Sequence, residues 1–205
     1  MKKDKHVGII GGTFNPIHLG HLILAEHAQV EFDLDEILFI PAGISYFKDP
    51  ATVLDSKTRI TMTGEAIQNN PHFALSTIET DRPGNSYTYE TLEELKAKNP
   101  DTTYYLIIGA DSLFQIELWK NPEIIFQKSV VLAASRKGQT TDELIKRIDE
   151  LNNKYKADIR LLTMPYIEIS STEIRDRIKA GKSIRYMVHP CTWEYISKNH
   201  LYEEE

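Results

Sequence analysis

Short runs of β-branched and aromatic residues alternate with longer amphipathic stretches along this chain. Leu144, Ile148 and Leu151, for example, form an apolar stripe at helical spacing. Strands are predicted at residues 6–10, 36–40, 73–79, 103–108, 129–134 and 159–163, and helices at 19–32, 55–69, 88–98, 140–152, 171–180 and 192–198. Strands that alternate with helices predict an α/β fold, a Rossmann-like doubly wound and mostly parallel sheet with helices on both faces.

Residues that start and stop helices support several of these boundaries. Asp55 is a predicted N-cap, and Thr140 with Glu143 has the spacing of a capping box. Gly181 is placed to end one helix, and Pro190 is placed to open the last one.

The length of 205 residues predicts one domain that spans 1–205. Hydrophobic residues make up 41% and charged residues 26%, which is ordinary for a globular protein. A chain of this size buries roughly 70% of its unfolded surface, so it needs no disulfide or structural metal to fold. Residues from about 165 to 205 are expected to form a small helical C-terminal lobe on the same core.

The formal net charge of −6 argues against non-specific nucleic-acid binding, although it leaves open a local basic pocket. Cys191 is the single cysteine, which excludes an intrachain disulfide and a cysteine-based zinc site and favours the reducing cytoplasm. No secretory signal follows the basic N-terminal residues, and no apolar run reaches the ~18 residues of a membrane span. We therefore expect neither nucleic acid nor a membrane as a partner.

The segment from Gly11 to His21 reads GGTFNPIHLGH and joins the first predicted strand to the first predicted helix. In a doubly wound sheet, ligands bind at the carboxyl ends of the strands. Gly11 and Gly12 allow the backbone to approach a ligand, and the N–H groups that open a helix favour a phosphate. His18 and His21 are three residues apart, so on a helix they share one face beside that phosphate. The dinucleotide-binding G-x-G-x-x-G spacing and a Walker lysine are both missing.

A second segment, residues 169–175, reads ISSTEIR and again joins a predicted strand to a predicted helix. Ser170 is the predicted N-cap, and Glu173 completes a capping box. Arg175 falls on the first helical turn, where it can face the same anion as the N–H groups there. Residues 170–185 contain five basic and two acidic side chains, a local balance of +3.

Each fragment by itself also has an ordinary structural explanation. A glycine pair after a strand, a histidine at a helix start and a well-capped helix are all common in α/β proteins. The complete eleven-residue string in its strand–turn–helix context is far more specific. Residues 109–111 and 135–138 directly follow two further predicted strands. A doubly wound order would bring both segments to the edge that carries the first motif.

With these residues the chain resembles the nucleotidyltransferase superfamily that carries a His-x-Gly-His signature, and within it the bacterial nicotinate mononucleotide adenylyltransferases. The ISSTEIR segment matches the family's second signature, which binds the ATP phosphates. The resemblance implies catalytic roles for His18, His21 and Arg175 at the polyphosphate and the leaving pyrophosphate. It implies an ATP site formed by Gly11, Gly12, Thr13, Phe14, His18, His21, Gly109, Asp111, Arg136, Ser171, Thr172 and Arg175.

The resemblance also implies a nicotinate mononucleotide site formed by Lys48, Thr88, Tyr89, Trp119 and Lys120. In the family, a tryptophan at this place stacks on the pyridine ring. Backbone N–H groups near the threonine and the tryptophan hold the nicotinate carboxylate.

Two places depart from the family pattern. Asn15 stands where the family commonly has aspartate, although the amide keeps a side-chain acceptor. Residues 45–48 read SYFK in place of the usual Pro-Pro-His-Lys, so the lysine is kept and the histidine is lost.

The reaction that the resemblance implies is adenylyl transfer from ATP to nicotinate mononucleotide, which gives deamido-NAD and pyrophosphate. Mg²⁺ is the expected cofactor, bound mainly through the ATP phosphates with few or no protein ligands. Alternatives are an enzyme that prefers nicotinamide mononucleotide or phosphopantetheine, and a nucleotide-binding module without catalysis. Phosphopantetheine enzymes are usually shorter and lack the context of Thr88 and Trp119. The sequence leaves a homo-oligomer open.

Overall fold

A computed structural model describes residues 4–43, 52–135, 141–165 and 167–203. Its strands are β1 (Lys5–Gly12), β2 (Glu36–Pro41), β3 (Phe73–Leu75), β4 (Thr102–Gly109), β5 (Ser129–Ala134) and β6 (Ile159–Leu162). Its helices are α1 (Leu19–Glu31), α2 (Ser56–Ile67), α3 (Thr88–Lys98), α4 (Ala110–Gln115), α5 (Pro122–Lys128), α6 (Thr141–Tyr155), α7 (Ser171–Lys179) and α8 (Pro190–Lys198), and a 3₁₀ turn spans Ile116–Leu118.

The six strands form one parallel sheet in the order β3-β2-β1-β4-β5-β6. Lys5 pairs with Thr102 where β1 runs beside β4, and Tyr104 pairs with Ser129 where β4 runs beside β5. The order reverses at β1, which is the doubly wound arrangement expected from alternating strands and helices. The predicted α/β class is therefore confirmed.

The predicted elements agree with this structure except in two regions. The strand predicted at 73–79 is only three residues long, Phe73–Leu75. Residues 110–128, for which no helix was predicted, form α4, the 3₁₀ turn and α5. These helices have six, three and seven residues, too few for a clear amphipathic period.

Helix-boundary predictions are confirmed where the structure describes them. The Asp55 side chain accepts a hydrogen bond from the Thr58 N–H at 2.9 Å, so it caps α2 as expected. After α7, Gly181 adopts a φ of +64°, and the Lys182 N–H donates to the Arg177 carbonyl at 2.8 Å. A left-handed residue at this place suits glycine and ends the helix. Thr140 lies outside the described residues, so its capping box stays a prediction.

The chain divides into two compact units, each built from separate segments. The first unit contains Met1–Ile10, Leu24–Leu38 and Ser86–Tyr166, and the second contains Gly11–Ile23, Phe39–Asn85 and Ile167–Glu205. The expectation of a single domain over 1–205 stays a prediction. Both sequence motifs, at 11–21 and 169–175, lie in the second unit.

In the first unit, α6 packs against β6, which pairs with β5. The predicted apolar stripe of α6 is buried, with Leu144 and Leu151 at most 1% exposed and Ile148 at 7%. The second unit packs α2 against α8, where Met62, Thr63 and Thr192 are fully buried. None of the helices in the described ranges is long and apolar enough to span a membrane.

Candidate active site

The first motif begins with Gly11 and Gly12, the last two residues of β1, and the space beside the first is open whereas that beside the second is crowded. At Gly11 the space that a Cβ would fill holds no described protein atom within 4 Å, which leaves room for a ligand. At Gly12 a Cβ would come within 3.0 Å of the Phe14 ring. That ring is only 2% exposed and packs edge-on to His21, with ring centroids 5.0 Å apart. Phe14, predicted to contact ATP, therefore presents its side chain to the core.

The two histidines of the motif lie face to face. The centroids of the His18 and His21 rings are 3.7 Å apart, with an angle of 28° between the planes. The backbone N–H of His18 donates to Nδ1 of His21 at 3.3 Å. Nδ1 of His21 is therefore an acceptor, so a neutral His21 carries its proton on Nε2 and can donate from that nitrogen.

Gly20 lies close to the His18 ring of this stacked pair. A Cβ at position 20 would lie 3.0 Å from Nδ1 and 3.1 Å from Cε1 of His18. Contacts this short would push the imidazole away from its place over His21. The glycine of His-x-Gly-His is thus explained by the space that the first histidine occupies.

The start of α1 is less open to an anion than the sequence predicts. The helix begins at Leu19, so His18 precedes its first turn and His21 lies within it. The Leu19 N–H, expected to be available for a phosphate, donates to the Met187 carbonyl at 2.9 Å. The expectation of a fully free helix N-terminus is therefore wrong for this N–H group, which already holds the C-terminal segment.

The second motif is bonded directly to the first. Ser170 caps α7 as predicted, since its Oγ accepts from the Glu173 N–H at 3.1 Å. The Ser171 hydroxyl donates to the Pro16 carbonyl at 2.8 Å. One Arg175 Nη donates to the Asn15 carbonyl at 2.9 Å and the other to the Thr172 hydroxyl at 3.3 Å. The two motifs, residues 11–21 and 169–175, thus form one hydrogen-bonded frame.

Arg59 belongs to the same frame, although it lies outside both motifs and was not predicted as a site residue. Its side chain is 3% exposed, and its Nε and Nη1 donate to the Leu54 and Thr13 carbonyls at 2.9 and 2.8 Å. Burial lowers the pKa of Arg59 below its usual value. A signal was present, because Arg59 shares the buried face of α2 with Met62 and Thr63, where a charged residue is unusual.

Two residues predicted for the pyridine nucleotide, Tyr89 and Lys120, lie close together in the first unit. Lys120 Nζ lies 4.3 Å from the centroid of the Tyr87 ring and 5.9 Å from that of Tyr89. These cation–π contacts bring the 119–120 segment to the start of α3, where Thr88 is the first helical residue. Tyr87, the N-cap residue of α3, makes no side-chain hydrogen bond that caps the helix.

The remaining predicted residues have different surroundings. Gly109 is the last residue of β4 and the N-cap of α4, and Asp111 is exposed in the first turn of that helix. Trp119 is half-buried, and its N–H donates to the Ile116 carbonyl at 3.1 Å, so this N–H is already bonded. Lys48 and Arg136 lie outside the described residues. So do all of residues 45–48, the segment that departs from the family pattern.

Comparison with known proteins shows the class of protein to which the chain belongs. The model of the cytidylyltransferase-like family matches residues 9–177, which include both motifs. The fold is also that of a solved Plasmodium falciparum nicotinic acid mononucleotide adenylyltransferase complexed with NaAD. The TM-score is 0.80 at 22% identity, with 97% of each chain covered.

Closer relatives define the family. The chain is 46% identical over 97% of its length to a "probable nicotinate-nucleotide adenylyltransferase" of Lachnoclostridium phytofermentans, of which 99% is covered. It is 41% identical over 98% of its length to a protein of the same name from Clostridium botulinum, covered completely. The chain therefore belongs to the nicotinate-nucleotide adenylyltransferase family of nucleotidyltransferases.

Proposed function

We propose that this protein transfers the adenylyl group of ATP to nicotinate mononucleotide. A phosphate oxygen of the mononucleotide attacks the α-phosphorus of ATP, the bond from that phosphorus to the β-phosphate bridging oxygen breaks, and pyrophosphate leaves. The observation that carries the proposal is the frame in which Arg175 and Ser171 of the second motif are bonded to the carbonyls of Asn15 and Pro16.

The chemistry asks mainly for positioning and charge stabilisation, because the attacking phosphate is already an anion. Stacking and the His18 N–H bond hold His21 with Nε2 as its donor. We assign His18 and His21 to the ATP polyphosphate and its transition state. Arg175, with the N–H groups of Ser171 and Thr172 in the first turn of α7, is assigned to the leaving pyrophosphate.

Thr13 and the open backbone at Gly11 are assigned to ATP, together with the two motifs. Gly109, Asp111 and Arg136 are assigned to the nucleoside part of ATP, as the family resemblance implies. For the acceptor, we assign the carboxylate of nicotinate to the first turn of α3 at Thr88. Lys120, held on the Tyr87 ring, supplies a positive charge to the mononucleotide. Lys48, Tyr89 and Trp119 complete the proposed acceptor site.

Mg²⁺ is the cofactor that we propose. Within the described ranges, no three His, Cys, Asp or Glu side chains are grouped to hold a metal ion. The frame offers imidazole nitrogens, whereas Mg²⁺ prefers oxygen ligands. These residues fit an ion bound through ATP, where it neutralises phosphate charge. Because the reaction consumes ATP, we propose the cytoplasm as its compartment.

The test measures pyrophosphate release from ATP and Mg²⁺ with the acid or the amide mononucleotide as acceptor. We expect a higher kcat/KM with the acid, because the α3 N-terminus favours a carboxylate. The reverse ratio would identify an enzyme for nicotinamide mononucleotide, and ATP binding without release would indicate a non-catalytic module.

Replacing His21 tests the assignment of this residue to the ATP polyphosphate. His21→Ala is expected to lower kcat/KM by roughly 10²–10³-fold, the cost of one charge-stabilising donor in comparable sites. His27→Ala is the matched control, because it makes the same change six residues further along α1. Equal activities of the two variants would remove His21 from the mechanism.

A further inference from the structure

Asn15 connects several separate segments of the second unit through its side chain. It is 3% exposed, and its Nδ2 donates to the Thr52 carbonyl at 3.1 Å. Its Oδ1 accepts from the Leu54 N–H at 3.3 Å and from the Tyr202 hydroxyl at 2.9 Å. We call these contacts of Asn15 with Thr52, Leu54 and Tyr202 the Asn15 clasp. The Tyr202 bond is the shorter of the two that reach Oδ1.

The backbone of the same residue receives the arginine of the second motif. Arg175 donates to the Asn15 carbonyl at 2.9 Å, so the orientation of this peptide group decides where the guanidinium lies. A rotation of Asn15 would turn that carbonyl and release Arg175 from the first motif. The clasp therefore controls a group that the proposed function assigns to pyrophosphate.

Tyr202 reaches Asn15 because the chain bends back after α8. His200 and Tyr202 have φ values of +50° and +67°, in the left-handed region that non-glycine residues rarely adopt. The Leu201 N–H donates to the Ile196 carbonyl at 3.1 Å and holds this bend. Residues in such conformations persist when the surrounding structure holds them, here at the tyrosine that meets the first motif.

Burial leaves the Tyr202 hydroxyl a hydrogen-bond donor. Burial raises the pKa of Tyr202, and the nearby positive charges of Arg175 and Arg59 only partly oppose that effect. The hydroxyl therefore keeps its proton at neutral pH and donates to Oδ1 of Asn15.

We propose that Tyr202 is a positioning residue for adenylyl transfer: its hydroxyl orients Asn15, and through the Asn15 carbonyl it sets where Arg175 meets the phosphates of ATP. The inference rests on the proposed function. It adds to the site a residue 187 positions away from Asn15, outside both motifs.

The test compares the wild-type protein with Tyr202→Phe, which removes one oxygen and keeps the ring. The control is Tyr186→Phe, because that side chain is 82% exposed and belongs to no assigned site. We measure the Kd of Mg-ATP by titration without an acceptor, the KM of each substrate, and the thermal midpoint. Tyr202→Phe is expected to raise the Kd and KM of ATP about three- to tenfold, the effect of one neutral hydrogen bond. The KM of nicotinate mononucleotide is expected to stay within about twofold.

A double-mutant cycle shows whether Tyr202 acts through Arg175. In an Arg175→Ala background, Tyr202→Phe is expected to change the Kd of ATP by less than about twofold, since its effect is transmitted by the absent side chain. An equal effect in both backgrounds, equal increases in both KM values, or a wild-type Kd in Tyr202→Phe would each overturn the inference.

These outcomes separate the inference from the proposed function. If the wild-type protein turns over and Tyr202→Phe matches it in every constant, only the positioning role fails. If the wild-type protein binds ATP without transferring its adenylyl group, the proposed function fails. Even then, a raised Kd of ATP in Tyr202→Phe that is absent in the Arg175→Ala background would support the positioning role of Tyr202.

Discussion

At the scale of single residues, Gly20 shows how a small side chain serves a neighbouring one. A Cβ at residue 20 would lie 3.0 Å from the His18 imidazole, so glycine leaves this ring its place over His21. A glycine inside a helix costs stability relative to alanine, by about 1 kcal/mol. The cost is explained by the geometry of the histidine pair rather than by the helix.

Replacing this glycine should separate stability from activity. Gly20→Ala is expected to keep or raise the thermal midpoint, while displacement of His18 lowers kcat/KM about tenfold. Gly64→Ala in α2 is the control, because its Cβ would make an ordinary 3.5 Å contact with Leu75. Differential scanning calorimetry and steady-state kinetics on the three proteins test this. The explanation fails if Gly20→Ala retains full activity, or if Gly64→Ala loses as much.

At the scale of elements, one carboxylate joins the 3₁₀ turn to α6 in the first unit. Glu117 accepts from Arg147 at 2.6 Å, from Lys154 at 2.7 Å and from the Tyr155 hydroxyl at 2.8 Å. These bonds, with Lys154 first, lower the pKa of Glu117 to about 2. Its side chain is 26% exposed, so solvent reduces the gain, and about 1–2 kcal/mol of stability is a reasonable magnitude.

The lowered pKa gives this interaction a defined pH dependence. Because the folded-state pKa lies below the ordinary value of 4.5, the stabilisation is complete above that pH and is lost as pH falls towards 2. Glu117→Gln should therefore lower the free energy of unfolding by about 1–2 kcal/mol at pH 7, and by progressively less below pH 4.5. Urea titrations between pH 3 and 7 measure the difference. A difference that stays constant over that range would contradict the ionic origin.

At the scale of the whole molecule, the chain passes between the two compact units five times. Neither unit is a continuous segment, so neither can be cut from the chain as a contiguous piece. The single domain predicted from the length stays a prediction. The threading means that residues 11–21 and 169–175 are brought together only when distant parts of the chain have folded.

The threading predicts one cooperative melting transition that ATP shifts as a whole. Mg-ATP at about a hundred times its Kd adds about 2.7 kcal/mol to stability, which corresponds to a rise of roughly 5–10 °C in the midpoint. Calorimetry with and without Mg-ATP provides the measurement. Two transitions, with only one of them moved by the ligand, would show that the units unfold independently.

Local patterns in the sequence were sufficient for most of the fold and for both signatures. The alternation of strands and helices, the Asp55 and Ser170 caps and the stop at Gly181 depend on residues within a few positions of each other. Such interactions are readable because their partners are close along the chain. The short helices between 110 and 128 were missed because six or seven residues do not establish a helical period.

What the sequence by itself determined is the α/β class, the two motifs and the chemistry that their residue types allow. Only the tertiary structure decided that Arg175 bonds to the Asn15 carbonyl, that the Leu19 N–H is already used, and that Arg59 and Tyr202 join the same frame. The physical reason is distance along the chain. These contacts join residues between 46 and 187 positions apart, and neither periodicity nor capping patterns report on such pairs.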